Sequence, residues 1–263
     1  MSVTEGKSTS DSNEACWLVL ASADDFAALW VYQQWQSMTS RRILLLTPET
    51  LCTAMTWRQH LTTGEHSSQI GLADAIRLQD TAIHGIYNRF FRVMPLHWQR
   101  ASPEERLYVE QEYMAILLSW MHALRCPILN PPTSRGLSGA SRSTAEWRML
   151  AIQAGLPIMP LLMDGLGRAE QNSLYCFKTY KIIMLSNTCY NYLPYHLHIP
   201  AQRLCQLADT PLLELHFACP TRDDWLFLHA NPWPDLKESK LSILVDVARY
   251  LTLIPDNLVG YSQ

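Results

Sequence analysis

Two short apolar runs near the start of the chain, each followed at once by a helix-opening signal, restrict the fold more than any other feature. Cys16-Trp17-Leu18-Val19-Leu20-Ala21, and Ile43-Leu44-Leu45-Leu46 behind Arg42, lack the alternation of a half-exposed strand. They predict strands covered on both faces. Ser22 sits where an N-cap belongs, with Asp24 and Asp25 in the first turn of a helix running to about Gln36. Thr47-Pro48-Glu49 supplies a cap, a proline at N1 and an acid. Strand, helix, strand, helix in succession predicts a parallel sheet with right-handed crossovers.

Downstream, Ile70, Leu72, Ile76, Leu78, Ile83 and Ile86 predict short strands separated by turns, ending just before Asn88-Arg89. Ser102-Pro103-Glu104-Glu105 is a capping box that opens a long helix to about Arg125. Cys126 to Leu129 reads as a brief strand stopped by Asn130-Pro131-Pro132. A second box, Ser143-Thr144-Ala145-Glu146, opens a helix closed by Gly155, followed by an extended stretch from Ile158 to Met163. Beyond it, Tyr175 to Leu185 reads as a hairpin with Lys178-Thr179 near its turn, and Pro200 to Asp209 as a short helix. Leu212 to Phe217 and Trp225 to Leu228 read as antiparallel strands, and Leu241 to Leu251 as a last helix. The fold class is α/β: a parallel N-terminal sheet with helices, then an α+β lobe with antiparallel strands. Residues 1–14 read as a disordered tail, 15–132 as a first lobe and 133–263 as a second.

With 263 residues, 48% of them hydrophobic, the chain can bury a large core, and most of its nine tryptophans are expected there. A net charge of −3 gives no electrostatic case for nucleic acid or an anionic membrane surface. No apolar run is long enough to cross a bilayer, and the polar start lacks the core of a signal peptide. The seven cysteines are scattered, with no CxxC pair, as expected of reduced thiols in the cytoplasm.

Three local patterns, in order, resemble the ATP-grasp superfamily, in particular the carboxylate–amine ligases that act on peptides. The first is Asn88-Arg89 after a strand, then the long acidic-capped helix, then Ile128-Leu129-Asn130-Pro131-Pro132, which is similar to a pre-ATP-grasp lobe. The second is the helix ending Ala151-Ile152-Gln153-Ala154-Gly155-Leu156-Pro157. The third is Leu215-His216-Phe217 followed by Trp225-Leu226-Phe227-Leu228-His229-Ala230-Asn231-Pro232-Trp233-Pro234, which resembles the paired strands of the family's C-terminal lobe. The resemblance implies a reduced ATP-grasp-like plan. It also implies two departures. The central nucleotide-lid lobe has no room between Met163 and Tyr175, leaving Lys178 and Lys181 as the only lysines between Gly155 and Lys237. At the positions of the family's Mg²⁺-binding carboxylates stand His216 and His229, and only Asn231 keeps the residue type. Magnesium prefers anionic oxygen, whereas imidazole suits zinc, nickel or iron. ATP and Mg²⁺ are thus implied by the resemblance alone, and a transition metal by the replacements.

The candidate site residues fall in three groups. His216, His229 and Asn231 form a transition-metal set, or else polar residues lining a former cleft. Arg135, Gly136, Gly139 and Arg142 surround a helix start and suit an anion, or else form an ordinary loop with solvated arginines. Asn88 and Arg89, with Asn130 in the turn beyond, suit a substrate carboxylate, or else a structural cap or ion pair. The stretch Tyr190, Tyr192, Tyr195, His196 and His198 reads as a proline-punctuated loop folded over the core, or else as a metal-binding stretch. The expected function is a non-catalytic or accessory subunit of a ligase or biosynthetic system, with a protein or peptide partner. The alternatives are an ATP-dependent carboxylate–amine ligase completed by a partner subunit, and a metal-binding protein using His216 and His229.

Overall fold

The computed structural model describes residues 14–63, 65–73, 75–93, 98, 100–159, 177–221, 224–238 and 241–254. They divide into two compact units, one of residues 1–138 with 244–263 and one of residues 139–243.

Unit one is built on the predicted parallel sheet. Strands β1 (Cys16–Leu20), β2 (Arg42–Leu46), β6 (Ile83–Asn88) and β7 (Ile128–Leu129) lie in the order β2-β1-β6-β7, every pair parallel. β1 is buried along its whole length, as an unbroken apolar run requires. Helix α1 (Phe26–Met38) begins later than expected: Asp25, not Ser22, is its N-cap, with Oδ1 accepting from Ala28 N at 3.0 Å. Thr47 caps the short α2 (Pro48–Cys52) as predicted. Residues 244–254 group with unit one. Trp35 Nε1 donates to Leu244 O at 3.1 Å and Trp17 Nε1 to Leu251 O at 2.8 Å, both buried. An indole N–H in a core needs such an acceptor.

The short strands after α2 form a separate antiparallel sheet of β3 (Thr56–Thr62), β4 (Glu65–Gly71) and β5 (Arg77–Gln79). Helix α3 (Pro103–Ala123) packs near it, opened by the Ser102–Glu105 capping box with both reciprocal bonds present. The rings of Trp57 and Trp120 meet edge-on at 5.7 Å, and Trp120 Nε1 donates to Asp80 at 3.3 Å. Asp80 also accepts from Ser68 N and Ser68 Oγ.

Unit two holds an antiparallel sheet in the order β11-β10-β8-β9, formed by β8 (Lys178–Leu185), β9 (Thr188–Tyr190), β10 (Leu212–Cys219) and β11 (Leu226–Asn231). Of the hairpin expected over Tyr175 to Leu185, the part from Lys178 to Leu185 is instead one strand, and Tyr175 and Cys176 lie outside the described residues. Lys178 and Thr179 pair with Cys219 and Ala218, and the turn falls at Ser186-Asn187, where Ser186 takes a positive φ of 51°. Helices α4 (Thr144–Ala154) and α5 (His198–Ala208) share a core with the sheet that includes Trp147, Leu204, Leu215, Phe217 and Phe227. The Ser143 capping box opens α4, and Gly155 closes it at φ 90°. Helix α6 (Leu241–Tyr250) follows. Of the extended stretch Ile158 to Met163, Ile158 bridges Phe227 in parallel. Residues 160–163 and the segment expected to lack a lid lie outside the described residues.

Candidate functional site

Strands β10 and β11 bring the two histidines together. Residues directly opposite on an antiparallel pair share a face, and the register sets His216 against His229 and Glu214 against Asn231. The imidazoles stack at a centroid distance of 4.1 Å, 20° from parallel. His216 Nε2 donates to Glu214 Oε1 at 2.6 Å, across one pleat of the same strand. Asn231 bonds within its own turn, its Nδ2 donating to Trp233 O at 3.2 Å and its Oδ1 accepting from Trp233 N at 3.0 Å.

This arrangement does not match what a hard cation requires. Magnesium wants near-octahedral oxygen donors, yet the Glu214 carboxylate is held by His216. An ion ligated by imidazole lies along the nitrogen lone pair in the ring plane. With ring centroids 4.1 Å apart and planes 20° from parallel, the in-plane lone pairs of the two rings run side by side and do not converge, so one ion on both histidines requires a ring to turn. Among the described residues, no group of three or more His, Cys, Asp or Glu side chains is placed to hold a metal ion.

The register places three further groups beside the pair, which sequence reasoning missed as site residues. Lys181 of β8 lies directly opposite His216, so Lys181, His216 and His229 form one row across three strands. Glu214 lies two residues before His216, and the strand period of two was the signal that could have found it. Arg148 of α4 is 5% exposed. The pairing skips from His216↔His229 to Phe217↔Phe227, so Leu228 is the extra residue of a β-bulge. Arg148 Nε donates to its carbonyl at 3.1 Å, and only the folded sheet reveals that need.

Electrostatics follow from these contacts. Burial pushes the Glu214 carboxyl up, but His216, Lys181 and Asn231 together outweigh it and hold the carboxyl below its ordinary value. Burial, and then the neighbouring His216, push the His229 imidazole down, with Arg148 adding to the same effect. Both groups take up a proton less readily folded than unfolded, so acid destabilises the fold through each. The His229 contribution is complete above about pH 6.5 and lost as pH falls toward its folded value, and that of Glu214 is complete above about pH 4.3 and lost below. Denaturant unfolding across pH is expected to show stability falling in two steps on acidification. His229→Gln should flatten the upper step and leave the lower. An unchanged upper step would refute the assignment.

Asn88 and Arg89 are both buried, at 1% and 7% exposure. Asn88 Nδ2 donates to Asn130 O at 3.0 Å and Leu137 O at 2.7 Å, Oδ1 accepts from Phe90 N, and Ser138 Oγ donates to the Asn88 carbonyl. Its amide thus ties the end of β6 to the turn at Asn130, which takes a positive φ of 55°. Arg89 makes a two-pronged pair with Asp25, Nε to Oδ2 at 2.7 Å and Nη2 to Oδ1 at 3.2 Å.

The glycine loop spans the division between the units: Arg135 and Gly136 belong to unit one, Gly139 and Arg142 to unit two. Gly136 exchanges backbone bonds with Thr133, and Arg135 N donates to Thr133 Oγ1 at 3.1 Å. Gly139 has φ 74°, which favours glycine. Arg142 Nη2 donates to Ala208 O, capping the end of α5, and its guanidinium lies over the Trp147 ring at 5.0 Å. The Tyr190 to His198 stretch contains the end of β9 and a 3-10 turn, with Tyr192 and Tyr195 exposed. Burial pushes the Cys52 and Cys205 thiols up to about 12, far from the thiolate a nucleophile needs at neutral pH. Among the described residues no helix is long and apolar enough to cross a membrane.

Several solved structures share this fold. The chain is similar to a RiPP-associated ATP-grasp ligase of Chryseobacterium gregarium, solved with ADP and a leader and core peptide, at 10% identity and a TM-score of 0.68, covering 92% of this chain and 98% of that one. It is also similar to macrocyclase MdnC of Microcystis aeruginosa MRC bound to precursor peptide MdnA, at 11% identity and a TM-score of 0.69, covering 91% and 100%. A third is ATP-grasp ligase PsnB with minimal precursor, Mg and ADP, at 11% identity and a TM-score of 0.63, covering 90% and 97%. The chain therefore has an ATP-grasp-like fold. No family model matches it, and no curated protein matches its sequence.

Proposed function

We propose that this chain is a ligase-related peptide-binding protein, acting in the cytoplasm as a non-catalytic or accessory subunit of a peptide-modifying ligase system. The observation that carries this reading is the His216–His229 stack with Glu214 tied to His216. A transferring phosphoryl group needs a positioned cation to neutralise developing charge, and this donor set does not offer one to magnesium. Similarity to ligases solved with ADP and with precursor peptides supports a peptide as the partner, and the sequence reading adds the cognate ligase as the protein that would accompany it.

The test measures ATP hydrolysis with Mg²⁺ by the purified chain, alone and with proteins recovered by pull-down from its own host. Expected are no turnover by the chain alone, and co-purification of a ligase whose activity the chain alters without hydrolysing ATP itself. Turnover that His229→Ala abolishes would instead establish an active ligase completed by its partner. Stoichiometric zinc, nickel or iron in elemental analysis would establish a metal-binding protein.

A further inference from the structure

We propose that the open edge of β3 in unit one binds an extended acidic peptide segment as an added β-strand. The inference concerns unit one alone and holds whether or not the chain is an accessory subunit.

The sheet order β3-β4-β5 leaves β3 at an edge, and among the described residues it pairs only with β4. With 7 residues it is longer than a typical strand, and its register with β4 runs without a shift. The outward N–H and C=O groups of an edge are a template for another chain, and edges that avoid pairing are short, bulged or interrupted by proline. None of these devices is present in β3, which carries only charge. Its side chains alternate between two faces. Thr56, Arg58, His60 and Thr62 are exposed, whereas Trp57 and Gln59 are half-buried on the face they share with buried Ile70 and Ser68. Arg77, in register with Gly71 and Thr56, adds a further cation to the exposed face, and the acid placed there by register is Glu65, opposite Thr62 at the turn. The edge is therefore cationic in a chain of net charge −3, which favours acidic residues opposite Arg58 and His60. A second copy of the chain fits badly. Antiparallel pairing of two β3 strands about Gln59 sets the Arg58 of each copy against the His60 of the other, and like charges directly opposite are destabilising. On the inner face, Trp57 Nε1 and Gln59 Nε2 are buried with no hydrogen-bond partner among the described residues, and an unmet buried donor is costly. The residue of an added strand opposite Gln59 points to that same face, where a carboxamide or hydroxyl oxygen accepts from these donors. The preferred segment thus alternates acid, amide or hydroxyl, and acid, with backbone bonds supplying affinity and side chains selectivity.

Fluorescence anisotropy of a labelled peptide titrated with the full chain tests this. The peptide matches β3 in length and is threonine throughout, except for a central glutamine with glutamate on either side. It should bind, and its counterpart with lysine in place of glutamate should bind about tenfold more weakly or worse. Arg58→Glu, at an exposed position suited to substitution without unfolding, should reverse that order. Methylating the backbone nitrogens of alternate residues separates strand pairing from charge attraction, because only one alternating set faces the protein. One of the two methylated peptides should lose binding and the other keep it. No binding of the acidic peptide, equal binding of both methylated peptides, or indifference to Arg58→Glu overturns the proposal. Sedimentation showing a dimer that Arg58→Glu tightens would assign the edge to a second copy and also overturns it. ATP turnover would refute the accessory reading without touching this one.

Discussion

Asp25→Ala is expected to lower the unfolding free energy by about 3 kcal/mol or more, well beyond the roughly 1 kcal/mol of an ordinary lost helix cap. One carboxylate serves two structures here. Its Oδ1 accepts from Ala28 N at the start of α1, and both oxygens accept from Arg89, which is 7% exposed. Burial disfavours the Arg89 charge, while the Tyr87 hydroxyl and the Asp25 carboxylate more than offset it. Removing Asp25 therefore orphans a buried guanidinium at the C-terminal end of β6, beside the end of β1 whose Leu20 carbonyl accepts from Arg89 N at 2.8 Å. Equilibrium urea unfolding measures the loss, and adding Arg89→Met to the Asp25→Ala background should recover part of it. A cost no larger than a cap, or no recovery in the double variant, would show that the pair does not anchor unit one.

The second large effect is expected at Phe217, where Phe217→Ala should cost about 3–5 kcal/mol. The ring is 0% exposed and meets Trp225 and Phe227 edge-on at 5.8 and 5.9 Å. It also sits at the step where the β10–β11 pairing changes register. A cavity there removes packing beside the bulge. Equilibrium urea unfolding of the variant measures the loss. A loss of stability below about 1 kcal/mol would mean that neighbouring rings close over the gap.

Much of the fold was legible because its signals are local. The Ser102 and Ser143 capping boxes, proline after Thr47 and the left-handed Gly155 each act within one turn of helix, and all four stand where the sequence put them. The misplaced features have local causes too. Ser22 and Asp25 are both good N-caps, and Asp25, which takes the role, also pairs with Arg89, 64 residues away. Lys178-Thr179 resembled a turn because nothing nearby shows the partners Cys219 and Ala218 that make it a strand. The candidate site was half legible. His216, His229 and Asn231 were visible as residues on two strands, but Glu214, Lys181 and Arg148 acquire meaning only through pairing.

The sequence by itself determined the elements, their order and the parallel character of the first sheet, since apolar runs, caps and glycine act over a few residues. Tertiary structure decided the register of β8, β10 and β11, the bulge at Leu228 and the Asp25–Arg89 pair. Register is set by which faces must be buried across strands distant in sequence, and a shift of one residue would turn Lys181, His216 or His229 to the opposite face. That long-range choice, more than the identity of any one histidine, sets Lys181, His216 and His229 side by side.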